Sequence, residues 1–286
     1  MTTDVDYALI AANSYSIKDN VTSPINAIAI PDGWSILDFR IDDATGFTTR
    51  AYKNDLTGEI VIAYTGTTFE GDTFDKAKDW LAGNITAGSG AVLSPQAIDA
   101  AKFYLDILRA NPDANITFTG HSLGGGLASL MAVYFDRRAV VFDEAPFEKS
   151  ADSSIVVNGL KAVLAADGYA LPDAFSGYIA LDPLAGALIP SPTRLAREDN
   201  VAAVYVKDEI LSLAQTPAGR VALPLLFAWN PALLELALNV TNIAGSEQAL
   251  DANAGNGDGW GVQFLSGDPV DLHSMPILVA CVRSPQ

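Results

Sequence analysis

Cysteine is nearly missing from this chain. Cys281 stands alone, so no internal disulfide can staple the fold, and the redox compartment is left open. Basic residues are scarce too: 17 Lys and Arg face 34 Asp and Glu, for a net charge of −17. That balance argues against a nucleic-acid partner. It also means that any region meeting an anionic lipid surface needs an apolar patch of its own, because charge would repel it. Histidine occurs only twice, at His121 and His273. No window holds the roughly 18 uninterrupted apolar residues of a membrane span. The nearest, residues 223–240, is broken by Asn230, Pro231, Glu235 and Asn239. The first residues, Met-Thr-Thr-Asp-Val-Asp, lack the basic region and apolar run of a secretory signal. The expectation is a cytoplasmic protein or one exported by a leaderless route.

What is present is an apolar-rich chain, 49% hydrophobic over 286 residues, ample for a sizeable core. Its centre of organisation is the stretch Ile-Thr-Phe-Thr-Gly-His-Ser-Leu-Gly-Gly-Gly-Leu-Ala at 116–128. Residues 116–119 read as a short buried strand and those from Leu123 as a helix rich in small residues, so Gly120-His121-Ser122-Leu123-Gly124 falls on the turn between them. Gly-x-Ser-x-Gly alone is short enough to arise by chance. Between a strand and a helix it is the context of a nucleophile elbow, where a serine oxygen projects from a sharp backbone corner and the glycines leave room for it. The first turn of the following helix offers unpaired N–H groups and a partial positive charge to an oxyanion.

The rest of the chain fits around that corner. Residues 4–15 carry apolar positions at helical spacing, with Tyr7 and Tyr15 near the ends. Three strands follow at 34–41, 46–52 and 59–64, the last two joined by a turn at 54–58, so an antiparallel meander opens the sheet. Ile60-Val61-Ile62-Ala63-Tyr64 is a continuous apolar run, as expected of a central strand covered on both faces. It empties into Thr65-Gly66-Thr67-Thr68, and if it lies beside the elbow strand, Thr67 joins Leu123 as an oxyanion donor. A polar loop capped by threonines is the plainer reading of the same residues. Asp79-Trp80 sits in a polar stretch where Trp80 is either a substrate contact or core. Ser94 and Pro95 start a helix over 95–110.

Beyond the elbow helix, 139–142 is a further buried strand. Residues 147–176 show no clear period and read as an insertion over the sheet edge. Residues 178–181 form a candidate strand, and 201–206 is the clearest strand of the second half. Residues 219–250 are helix-like and strongly apolar, either a core helix or a lid whose apolar face meets lipid. Residues 251–259 hold several oxygen ligands, but their spacing departs from a calcium loop and reads as a solvated loop. No metal or cofactor is expected.

A serine needs a base within hydrogen-bond reach and a carboxylate to orient that base. His121 precedes Ser122 on the elbow with its side chain directed elsewhere, which leaves His273 as the base. Functional side chains of open α/β sheets sit at the carboxyl ends of strands, so Asp143, Asp182 and Asp208 are the candidates for the acid. Asp208 follows the strongest late strand and keeps the order Ser, Asp, His.

With these residues in hand, the chain resembles the class-three, fungal-type lipases of the α/β-hydrolase superfamily. The resemblance rests on Ala11-Ala12-Asn13-Ser14-Tyr15, the strand-loop 61–67, Asp79-Trp80, the elbow with Gly125, and the late Asp208 and His273. It implies one α/β-hydrolase-type domain over 1–286 with a mostly parallel central sheet flanked by helices, to which the residues themselves add a cap insertion at 143–200, long for that family, and a lid or core helix at 219–250. It also implies a serine carboxylic-ester hydrolase acting on lipid-like esters, with Ser122 as nucleophile, Asp208 as acid, His273 as base, and Thr67 and Leu123 as oxyanion donors. Thr65 stands where that family usually has arginine, and Trp80 lies further beyond Thr67 than usual. A phospholipase or toxin-like effector lipase, and an inactive α/β-hydrolase-fold binding module, are the alternatives.

Overall fold

Thr3 starts the first helix, α1 (Asp4–Ser14), with a capping box. Its hydroxyl accepts the Asp6 N–H at 3.2 Å, and the Asp6 carboxylate accepts the Thr3 N–H at 2.9 Å. The computed structural model describes residues 2–17, 28–66, 93–181, 189–206 and 243–250, together with 279, 282 and 283. A short 3-10 turn, Tyr15–Ile17, follows α1.

Seven strands make one sheet in chain order: β1 (Trp34–Asp42), β2 (Phe47–Asn54), β3 (Ile60–Tyr64), β4 (Ile116–His121), β5 (Ala139–Phe142), β6 (Val201–Val206) and β7 (Ser246–Leu250). β1, β2 and β3 pair antiparallel, and β3 through β7 are parallel. This is the mostly parallel sheet with flanking helices expected of an α/β-hydrolase fold. The apolar run of β3 is explained by period-two alternation between two covered faces. Ile60, Ile62 and Tyr64 enter one core with Phe103, Phe118, Leu127 and Met131, while Val61 and Ala63 enter the other with Tyr7, Ile10, Phe142 and Val204. Burying each of these aliphatic or aromatic side chains contributes roughly 1.5–3 kcal/mol.

The first of these cores lies under α2 (Pro95–Ala110) and α3 (Leu123–Phe135), the second under α1. Ser94 caps α2, with Pro95 in its first turn. All thirteen residues of α3 are buried. The sheet covers one side of it, and the other is covered by α4 (Glu148–Asp152), α6 (Asp173–Ser176) and α7 (Pro192–Glu198). α5 (Ser154–Ala166) packs on α2.

Three expectations change here. Residues 147–176, read as aperiodic, contain α4, α5 and α6, which extend the helical layer over α2 and α3. The strand expected at 178–181 is reduced to one bridge between Leu181 and Pro190, because Tyr178 and Ala180 are apolar for packing in the core and not for a ladder. The last residues of the 219–250 stretch form β7, a strand exposed over its first three residues, where a helix was expected. Residues 219–242 and the loop 251–259 lie outside the described residues.

β1 is an edge strand with a register shift between Ile36 and Asp38. Ile36, Leu37, Phe39 and Ile41 are exposed on it, Phe39 by 59%. The Asp38 carboxylate accepts the Phe39 N–H at 2.8 Å.

Candidate active site

β3 and β4 run parallel in a register that sets Tyr64 beside Gly120, so Thr65-Gly66 leaves the sheet next to His121-Ser122. Ser122 has φ 57° and ψ −126°. A non-glycine residue held there costs about 1–3 kcal/mol and persists only where its surroundings over-determine it. Three backbone bonds do so. The Ser122 N–H donates to the Phe142 carbonyl at 3.0 Å, and the Ser122 carbonyl accepts the N–H groups of Gly126 at 3.1 Å and Ala145 at 2.9 Å. The corner is therefore clamped between its own helix and the chain leaving β5. Gly120 and Gly124 pack face to face beneath it, and a methyl on Gly120 would collide with the Gly124 carbonyl group.

Ser122 is 2% exposed, and its Oγ has no hydrogen-bond partner among the described residues. A buried hydroxyl in that state costs about 1–3 kcal/mol. Leu123 follows as the first residue of α3, whose opening turn brings N–H groups that precede the helix's own ladder and the positive end of the helix dipole to the serine. Thr67, Asp208 and His273 lie outside the described residues, as do Trp80 and Asp182. Of the expected site residues, Ser122 and Leu123 are therefore the two that the described structure brings together.

A second set of polar groups surrounds the corner. The Tyr15 hydroxyl stands 2.9 Å from His121 Nδ1 and 3.4 Å from the His121 carbonyl oxygen, and it also bonds the Gly66 backbone. His121 Nε2 faces Asp143 Oδ2 at 3.9 Å. Asp143 has φ 41°, and its Oδ1 accepts the Val206 N–H at 2.8 Å. Burial raises the Tyr15 hydroxyl well above the usual tyrosine value, so it stays protonated. Next to Asp143, the buried Glu144 receives the Ser129 hydroxyl on Oε2, and Oε1 has no partner among the described residues. Burial holds this carboxyl well above its ordinary range, in the neutral form. Among the described residues, no group of three or more His, Cys, Asp or Glu is placed to hold a metal ion. No helix among them is long and apolar enough to cross a membrane.

Residues 7–254 match a phospholipase-like family, the Tle-like phospholipase domain. The chain belongs to that family. This phospholipase-like chain is 33% identical over 150 residues to an extracellular phospholipase A1 of Serratia liquefaciens, an alignment covering 50% of this chain and 42% of the relative, so it spans less than half the length of that protein. Similar solved structures include a lipase from Rhizopus microsporus var. chinensis, at 13% identity and TM-score 0.38 over 75% of this chain and 69% of that one. Another is a lipase of Yarrowia lipolytica, at 14% identity and TM-score 0.40 over 73% of each chain. At the level of family, the lipase resemblance read from the elbow holds.

By local pattern alone, His121 is only the serine's neighbour and Tyr15 only a residue near a helix end. In this phospholipase-like chain both instead touch the corner that carries Ser122. The signal available was a tyrosine closing an apolar helix and an imidazole next to the serine, but the two are 106 positions apart and no local pattern joins them.

Proposed function

We propose that this chain hydrolyses carboxylic esters of lipids through an acyl-enzyme, with phospholipid as the preferred substrate class. The observation that carries the reading is Ser122: a serine held at positive φ at the head of a buried helix, its hydroxyl without a hydrogen-bond partner among the described residues. A fold tolerates that combined cost where the hydroxyl is kept for a reaction. The family description and the Serratia relative, both phospholipases by name, favour phospholipid over triglyceride.

In the proposed reaction, Ser122 Oγ attacks the ester carbonyl carbon and His273 takes its proton. The backbone N–H groups of Thr67 and Leu123 receive the oxyanion. Collapse breaks the ester C–O bond, and His273 returns the proton to the leaving alcohol. Water then attacks the acyl carbon with His273 as base, releasing a fatty acid and restoring the Ser122 hydroxyl. Asp208 holds the His273 tautomer and stabilises the imidazolium.

The test is turnover of p-nitrophenyl esters and fatty-acid release from phospholipid and triglyceride emulsions, by the wild type and by Ser122→Ala. The wild type is expected to act faster on phospholipid, and the variant to lose activity on all three. A Ser122→Ala protein with wild-type turnover refutes the assignment. For the acid, Asp208→Asn is expected to lose orders of magnitude while Asp143→Asn and Asp182→Asn remain active.

A further inference from the structure

The polar groups around the elbow stand in a row across the carboxyl ends of four neighbouring strands. Tyr15, in the 3-10 turn after α1, takes the Gly66 backbone on one side and His121 on the other. His121 ends β4, Gly66 is two residues past β3, Asp143 follows β5, and Val206 ends β6. The Gly66 backbone bonds the Tyr15 oxygen, which lies 2.9 Å from His121 Nδ1, and the Nε2 side of the same ring faces Asp143 Oδ2 at 3.9 Å. The rings of Tyr15 and His121 meet edge-on, with centroids 6.0 Å apart.

Gly66 lies at the tightest point of this junction. A methyl on it would sit 2.7 Å from the His121 carbonyl oxygen, 3.4 Å from the Ser122 Cβ, and closer than either to the Tyr15 oxygen. A glycine has no side chain to anchor it, so its peptide plane is set by whatever it bonds. Here that anchor is the Tyr15 hydroxyl.

We propose that Tyr15 is a positioning residue: its hydroxyl couples the loop leaving β3 to the elbow and sets the Gly66 peptide relative to Ser122. The inference rests on the ester-hydrolase reading, because the residue after Gly66 in the sequence is Thr67, proposed above as an oxyanion donor. Tyr15 itself takes no part in bond making. A donor moved by a fraction of an ångström stabilises the oxyanion less while leaving ground-state binding intact, so the effect falls on kcat.

The test uses the full chain with Tyr15→Phe, which keeps the ring packing and removes only the hydroxyl. kcat for a p-nitrophenyl ester is expected to fall by about 10- to 100-fold with KM within about 2-fold, since losing a whole oxyanion donor costs about 100- to 1000-fold. The rate at which a fluorophosphonate labels Ser122 should fall by a similar factor. Amide hydrogen exchange at Gly66, which does not depend on activity, should quicken at least about tenfold. His121→Asn, which keeps a hydrogen-bonding group near the Nδ1 position, should recover most of the kcat that His121→Ala loses. Wild-type kcat in Tyr15→Phe, a loss that appears equally in KM, or unchanged exchange at Gly66 would each overturn the proposal. If the wild type neither turns over esters nor is labelled at Ser122, the ester-hydrolase reading fails. Faster Gly66 exchange in Tyr15→Phe would still support the coupling in that case.

Discussion

Gly124, in the first turn of α3, lies so close to the Tyr64 carbonyl group that a methyl on it would sit 2.7 Å from the carbonyl carbon and 2.9 Å from the Gly66 nitrogen. Both neighbours are backbone, so neither can swing away. The elbow helix can therefore meet β3 only through a glycine.

Gly124→Ala is expected to destabilise the protein by at least the 1–3 kcal/mol typical of overpacking, with loss of soluble protein or a much lower thermal midpoint. Gly159→Ala is the internal control. It sits inside α5, where an added methyl meets only Leu93 at an ordinary 3.5 Å, and alanine is the better helix former. That variant should gain about 0.5–1 kcal/mol. Denaturant midpoints of the two variants measure both.

Replacing Ser122 by glycine should make the protein more stable and inactive at once. Glycine occupies φ 57° without the Cβ penalty, so Ser122→Gly is expected to gain about 1 kcal/mol in urea unfolding, whereas Ser122→Ala keeps the strain. Equal stability of the two variants would show that the corner is not strained.

The pH dependence of stability should carry the signature of Glu144. Its folded carboxyl binds a proton more tightly than the unfolded one, because burial opposes ionisation. Between the ordinary glutamate value, near 4.5, and the raised folded value, the folded state holds the extra proton. Stability from this group is thus complete below pH 4.5 and is lost as pH rises, by up to about 1.4 kcal/mol per unit. Glu144→Gln cannot ionise, so its urea midpoint relative to wild type should improve from pH 5 to pH 8. A constant difference would remove Glu144 from the account.

Arg194 is fully buried in α7, paired with Asp152 at 2.7 Å and with Glu198, and 3.7 Å from Glu148. Arg194→Met strands these carboxylates and should cost about 3–5 kcal/mol at pH 8. Asp152 is already pushed up to about 6 by burial, against the pull of Arg194. At pH 5 it takes up a proton readily, and the variant's deficit should shrink. Thermal melts at the two pH values read the difference.

These sites differ in how plainly the sequence announced them. The two-sided strand Ile60–Tyr64 and the corner at Ser122 were legible because each is written in adjacent residues: an unbroken apolar run, and glycines bracketing a serine. α5 was not, since Ile155 in its first turn is exposed while Val156 and Val157 are buried, and Gly159 interrupts the period. β7 was hidden because Ser246, Glu247 and Gln248 carry no apolar alternation; it is a strand by its pairing with β6. The contact of Tyr15 with His121 is tertiary, and Arg194 is buried among carboxylates drawn from two helices. Such partners are chosen by the assembled fold, beyond the reach of any local pattern.

The outer rim of the sheet has a consequence of its own for how the protein keeps company. β1 turns Ile36, Leu37, Phe39 and Ile41 to the surroundings, the composition that invites a stray strand to dock alongside and start an aggregate. Asp38 stands guard there, its carboxylate already occupying the Phe39 N–H and placing a negative charge on the rim. On a molecule whose net charge is −17, every would-be neighbour of the same kind arrives repelled, so crowding at high concentration meets a barrier at the strand most exposed to it.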